Sequence, residues 1–172
     1  MPTHRFFSTP LGDVRLDTET IAQLMNNPNC HYNDHAHAEE HSLEVQLPFL
    51  QLCLSDFELI PILTGTVNSI DVAQLIEPYW DDRTLLVIST DLSHFYTYEE
   101  CEDIDSKSCS KIEEGRLLTS KEACGYLGVN AVNQLIKQQR CHLQQLSRTN
   151  SGDSPHGDKS RVVGYVSYAI SR

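Results

Sequence analysis

An α/β fold with a largely parallel central sheet flanked by helices is what the sequence predicts. Two apolar runs bounded by turn residues, FELIPILTG (57–65) and TLLVIST (84–90), have the composition of strands buried on both faces. Segments with apolar residues three and four apart alternate with them, the order that builds strand–helix–strand units. At 172 residues the chain is sized for a single domain, 1–172, with room for a hydrophobic core.

The elements follow in order. The opening segment to about residue 20 reads as irregular, because Pro2 and Pro10 oppose regular helix. LDTETIAQLMNN reads as a short helix that Asp17 or Thr18 caps, with Ile21, Leu24 and Met25 on one face. NPNCHYNDHAHAEEH is polar and broken by Pro28, so it reads as a loop. HSLEVQLPFLQLCL returns to helical spacing and is expected to bend or restart at Pro48, which has no amide hydrogen to give. Beyond the first buried strand, SIDVAQLIEPYW is a helix with Val72, Leu75 and Ile76 on one face. TLLVIST is the second strand. The highly charged stretch from Tyr98 to Glu114 is expected to be an exposed, solvated helix. GVNAVNQLIKQQ makes a further amphipathic helix. CHLQQLSRT and RVVGYVSYAIS alternate like strands, and NSGDSPHGDKS between them is a loop by composition.

The formal net charge of −11 argues against nucleic acid or an anionic membrane as partner, since phosphates would be repelled. No apolar stretch is long enough to span a bilayer. MPTHRFFSTP lacks the basic-then-apolar order of a signal peptide, so a cytoplasmic location is expected. The six cysteines form no CxxC pair and are expected to be reduced thiols.

In parallel α/β sheets, ligands sit beyond the carboxyl ends of the strands. ISTDLSH places Asp91 and His94 at that end of TLLVIST. A carboxylate three residues from an imidazole suits a pair in which the acid fixes the tautomer of the base, although a helix cap followed by a surface histidine uses the same letters. In AEEHSLE, His41 and Glu44 are spaced to share a helix face, beside Glu40. Such a set can ligate a metal or orient a ligand. It lacks the HExxH order of zinc proteases, and a solvated helix start is the alternative. His31, His35 and His37 crowd HYNDHAHA without a spacing that demands a metal. Cys124 stands before Gly125 at a helix start, where amide dipoles stabilise a thiolate, yet cysteine is also a common buried residue. A hydrolase using Cys124 with His94 is a further reading, and no local cysteine-protease signature accompanies it. SGDSPHGDKS is not a P-loop. Its glycines read as turn residues, with Lys159 and Arg161 as candidates to meet an anion.

MPTHRF, EEHSLEVQLPFLQ, ELIPILTG, LLVISTDLSHF, ACGYLGVNAV and SGDSPHGDKSRVVGYVSYAI occur in that order and cover nearly the whole chain. Together they resemble the Memo family, known in prokaryotes as AmmeMemoRadiSam system protein B. EHSLEVQLPF and STDLSHF carry most of the resemblance.

The resemblance implies the α/β fold of class III extradiol dioxygenases of the LigB type. It further implies a metal cleft with His4 and Cys124 as ligands of Fe(II) or copper. His94 would be the general base on a substrate hydroxyl, Asp91 would orient it, and His41 would line the same pocket. The ligand is a small molecule or peptide of unstated identity. The family's first metal histidine belongs to a PHAGY-type segment upstream of PTHRF, and this chain has no such segment. The expectation is therefore a domain truncated at its N-terminus, short of one ligand and one strand. Cys124 in place of a carboxylate ligand alters the redox behaviour of iron and is itself oxidisable. Two functions follow: a non-haem iron or copper oxidoreductase, and a non-catalytic metal- or peptide-binding module on the same scaffold.

Overall fold

The computed structural model describes residues 1–172, which fall into two compact units, Met1–Thr66 and Val67–Arg172. Helices and strands are mixed in both, as the sequence predicts.

The first unit opens with an antiparallel hairpin, β1 (Phe6–Thr9) paired with β2 (Gly12–Arg15), where an irregular segment is expected. Pro10 and Leu11 form its turn, and Gly12 leaves it at φ 114°, a conformation that favours glycine. Val14 and Leu16 point inward with Ile21 and Leu24 of helix α1 (Thr18–Leu24), all of them buried. Asp17 caps α1 as expected, accepting the Thr20 N–H at 2.8 Å. Inside the expected loop lies a short helix, α2 (Asp34–Ala38), started by Asn33, which accepts the Ala36 N–H. Pro48 sits in the first turn of α3 (Leu47–Cys53), so the helix restarts there as its sequence requires, with residues 42–46 forming turns instead of helix.

The second unit centres on a three-stranded antiparallel sheet in the order β3 (His94–Tyr96), β5 (Val162–Ser171), β4 (His142–Asn150). β4 and β5 pair from His142 opposite Ser171 to Asn150 opposite Gly164, with one register shift between Gln145 and Ser147. Helix α4 (Ser69–Ile76), capped by Asn68, buries Val72, Ala73 and Ile76 and packs along α6 (Tyr126–Gln139). Helix α5 (Tyr98–Glu113) starts in a capping box made by Thr97 and Glu100. It is not simply an exposed charged helix. Cys101, Asp105, Ser108, Cys109 and Ile112 form a buried stripe, and only the opposite face is solvated. Leu92, Cys109, Ile112, Leu118 and Ala123 make the centre of this unit's core, against Tyr126, Val129, Leu143, Val166 and Tyr168.

The expected largely parallel sheet is not what these strands form. Both sheets are antiparallel, and the one parallel contact is a bridge between Leu16 and Leu59. The only sheet-like pairing of FELIPILTG is there, with Leu59 N–H donating to Arg15 O and Asp17 N–H donating to Leu59 O. TLLVIST joins no ladder. Its exposure alternates, leaving Leu85 63% exposed and Val87 43% exposed. An apolar, β-branched composition marks a segment suited to a sheet, but a ladder needs a neighbour in register. In the second unit β4 pairs along β5 from Gly164 to Ser171, and on the other edge β3 pairs only with Val162 and Val163.

One backbone feature shapes β3. Phe95 has φ 68°, and the pairing with β5 shifts register between His94 and Tyr96. This bulge is the device by which an edge strand re-aims a side chain, here that of His94. The Phe95 ring is 63% exposed and carries the Arg161 guanidinium at 4.2 Å. A β-branched residue fits positive φ worse than phenylalanine does. Phe95→Ile is therefore expected to cost about 1 kcal/mol in urea unfolding, while Phe95→Gly stays within about 0.5 kcal/mol of the parent.

Candidate functional site

Asp91 and His94 lie where the chain crosses onto β5. Leu92 N–H donates to Gly164 O, and Gly164 N–H donates to Ser93 O, both at 2.9 Å. Leu92 and Ser93 are thereby buried, and the residues that flank them keep partly open side chains. His94 Nε2 stands 3.3 Å from Asp91 Oδ2, with the two side chains 30% and 46% exposed. The pair expected from the three-residue spacing is formed, in a position that solvent or a ligand can reach.

Cys124 is brought to the same place from the start of α6. Its exposed sulfur is 3.2 Å from Thr90 Oγ1 and 3.9 Å from Asp91 O. Thr90 Oγ1 also accepts the Gly125 N–H at 2.7 Å and donates to Asp91 O at 2.8 Å. Gly125 has no side chain, and a Cβ there would lie 2.8 Å from Thr90 Cβ, closer than real Cβ contacts come. Tyr165 of β5 belongs to this neighbourhood too. Burial, and then the negative charge of Asp91, push its hydroxyl above the usual tyrosine range.

Beneath the segment sits a buried polar group. Asp105 of α5 is 1% exposed and accepts the Ser93 N–H at 3.1 Å and the Cys101 thiol at 3.2 Å. Burial pushes the Cys101 thiol up to about 11, so it is a donor and not a nucleophile near neutral pH. Lys159 lies over the Tyr98 ring at 4.6 Å and Arg161 over Phe95, so both candidate anion contacts rest on aromatic faces. The SGDSPHGDKS segment is the turn it was expected to be. Asp153 accepts from the Thr149 hydroxyl, the Asn150 N–H and the Tyr98 hydroxyl, which hold its carboxyl down at about 2.

In the first unit, His4 is largely exposed, with Nε2 3.9 Å from Asp34 Oδ1. The Thr3 hydroxyl and N–H bind Asp34 and hold it below the ordinary carboxylate range. His41 Nδ1 meets Glu44 Oε1 at 2.7 Å as the spacing suggests, but in a turn and with its side chain 76% exposed. His35 lies 3.7 Å from Glu39. Within neither unit do three or more His, Cys, Asp or Glu side chains gather as a metal-holding group.

His37 is the exception among the histidines. It is buried edge-on to Phe7, and neither ring nitrogen has a partner. Burial holds its pKa below the ordinary histidine value. The unfolded chain therefore binds a proton that the folded one resists. Stability is complete above about pH 6.5 and falls as pH drops through the folded value. His37→Leu is expected to stabilise by about 1 kcal/mol at pH 7, by removing unsatisfied polar atoms. It should also flatten the acid side of the stability profile, read from urea midpoints between pH 7 and 5.

A family model described as "Memo-like protein" matches residues 2–169. The chain belongs to the Memo family. Relatives named "MEMO1 family protein" occur in Archaeoglobus fulgidus (32% identical over 92% of this chain and 65% of the relative) and Methanobrevibacter smithii (33%, over 92% and 62%). Another, in Thermoplasma acidophilum, is 33% identical over 94% of this chain and 64% of the relative. This Memo-family chain thus spans just under two thirds of the length of the curated relatives it matches.

Sequence reasoning in this Memo-family chain passed over Thr90, Asp105 and Tyr165. Thr90 stands beside Asp91 inside ISTDLSH, but two of its partners, Cys124 and Gly125, lie 34 and 35 residues away, where local spacing gives no sign of them. Asp105 was concealed in a helix whose charge suggested solvent. Its one signal was the stripe of cysteines and serine at helical spacing around it. Tyr165 carried no signal beyond its place in an alternating strand.

Proposed function

We propose that this Memo-family chain is a metal-dependent oxidoreductase with an extradiol dioxygenase-like site. In the second unit Cys124 is the protein ligand of Fe(II) or copper, His94 is the general base and Asp91 orients it. The observation that supports the reading is the meeting of Cys124, through Thr90, with the Asp91–His94 segment in the second unit. A thiolate sulfur and imidazole nitrogens are donors that iron and copper both accept. Neither unit gathers three such donors by itself. When bound, the metal would supply activation of oxygen or of a polarised substrate oxygen.

What the chain's own residues do is acid–base chemistry. Asp91 Oδ2 at 3.3 Å from His94 Nε2 holds the imidazole by one nitrogen and leaves Nδ1 as the proton acceptor. A substrate with a weakly acidic hydroxyl, such as a catechol, would lose that proton to Nδ1. Tyr165, held in its protonated form beside Asp91, offers a hydrogen bond to an anionic substrate oxygen.

The test is metal analysis of untagged protein beside Cys124→Ala, followed by oxygen uptake with a panel of catechols under reducing conditions. Retained metal that is lost in Cys124→Ala, together with oxygen consumption that His94→Ala removes, is the expected result. Metal retained equally by both proteins would end the assignment of Cys124. Metal bound through Cys124 without oxygen uptake would assign the chain as a non-catalytic binding module.

A further inference from the structure

Asp105 presents a physical problem. It is among the most completely buried side chains, and no lysine, arginine or histidine pairs with it. Burying such a group is costly unless its hydrogen bonds fix something that an apolar side chain would not. The bonds it makes are specific. One carboxyl oxygen accepts the Ser93 N–H at 3.1 Å, and the other accepts the Cys101 thiol at 3.2 Å. The Ser93 hydroxyl, itself buried, donates to the Cys101 sulfur at 3.4 Å, closing a ring of three residues that includes the Ser93 amide. Room for the carboxyl exists only because residue 164 is glycine, since a Cβ there would come 1.6 Å from Asp105 Oδ2.

The peptide so held is the one between Asp91 and His94. Ser93 O is fixed from the other side by the Gly164 N–H, and Leu92 N–H is fixed by Gly164 O. Two residues later the backbone turns through positive φ at Phe95. A segment that reverses so sharply needs an anchor on its inner side, and Asp105 supplies the anchor for the last inward-facing N–H before His94.

We propose that Asp105 is a positioning residue for the Asp91–His94 pair, acting through its hydrogen bond to the Ser93 amide. It touches neither partner. Its contribution is to hold the backbone so that His94 Nε2 stays at Asp91 and one imidazole tautomer persists. The proposal rests on the reading of Asp91 and His94 as the polar pair of the site, but not on the metal.

The experiment is ¹⁵N NMR of the His94 ring, recorded at alkaline pH in the full chain as wild type, Asp105→Ala and Asp105→Asn. In the wild type the two ring nitrogens should resonate far apart, as for one fixed tautomer. In Asp105→Ala they should converge toward the values of a freely exchanging imidazole. Asp105→Asn, which keeps an acceptor oxygen of the same reach, should restore the separation. An Asp105→Ala protein that folds and keeps the wild-type separation overturns the proposal, since a purely structural residue would lower stability without touching that spectrum. Should Asp105→Ala fail to fold, amide exchange decides. Ser93 N–H in the wild type should exchange at least roughly tenfold more slowly than in Asp105→Ser, as expected for loss of one hydrogen bond; equal exchange overturns the clamp. Absence of metal from the wild type would end the oxidoreductase reading while leaving these ring spectra as they are.

Discussion

Gly164→Ala is expected to lower stability by about 3 kcal/mol, a large effect for the addition of one methyl group. Overpacking alone costs about 1–3 kcal/mol in a closely packed interior. Here the added carbon would fall 1.6 Å from Asp105 Oδ2 and 2.7 Å from its Cγ, so the side chain must leave its place. The strand cannot retreat instead, because Gly164 N–H and O are both bonded to the Leu92–Ser93 segment. Displacing the carboxyl leaves the Ser93 N–H, the Cys101 thiol, or both without acceptors in a buried setting, at about 1–3 kcal/mol. Urea unfolding monitored by circular dichroism measures the sum. The same collision predicts strong non-additivity. Adding Gly164→Ala to Asp105→Ala should cost well under 1 kcal/mol further, since the small side chain has vacated the space.

How much of this was legible depended on distance along the chain. Helices α1 and α4 are written locally in their apolar stripes and both form, α1 with the expected Asp17 cap and α4 ending at Ile76, short of the expected Trp80. β4 and β5 form where strands are expected and pair with each other across the loop 151–161. The β1–β2 hairpin escapes a sequence reading because Pro10 argues for irregular chain and its strands are only four residues each. Its register comes from the two-residue turn and from Leu16 meeting Leu59, a contact 43 positions away. β3 has three residues and exists only through Val162 and Val163, so no periodicity could announce it. TLLVIST shows the converse error: composition reports affinity for a sheet, while strand direction and partner are set by segments elsewhere. The Asp91–His94 contact was readable because three residues separate its members. The ring of Ser93, Cys101 and Asp105 was not, because the charge of α5 masked its inner face.

Thr90→Val carries the second large effect, about 2 kcal/mol of destabilisation. Valine nearly matches threonine in shape, so packing is conserved and the hydroxyl is what is removed. That hydroxyl has three partners. It accepts the Gly125 N–H at 2.7 Å, donates to Asp91 O at 2.8 Å and meets Cys124 Sγ at 3.2 Å. Gly125 opens α6 with no capping side chain of its own, so Thr90 reaches from 35 residues away to satisfy a donor that would otherwise be left without a partner. Losing an acceptor for a sequestered N–H costs about 1–3 kcal/mol, to which the freed Asp91 carbonyl adds little while it can reach water. Thr90→Ser keeps the oxygen and should stay within about 0.5 kcal/mol of the parent. The contrast between the two variants, measured by urea unfolding, separates the hydroxyl from the methyl. The consequence for chemistry follows from the same atoms, since the bridge is what ties Cys124 to the segment bearing Asp91 and His94. If Thr90→Val unfolds at the parent's urea midpoint, the bridge is not formed in solution, and the approach of Cys124 to that pair loses its support.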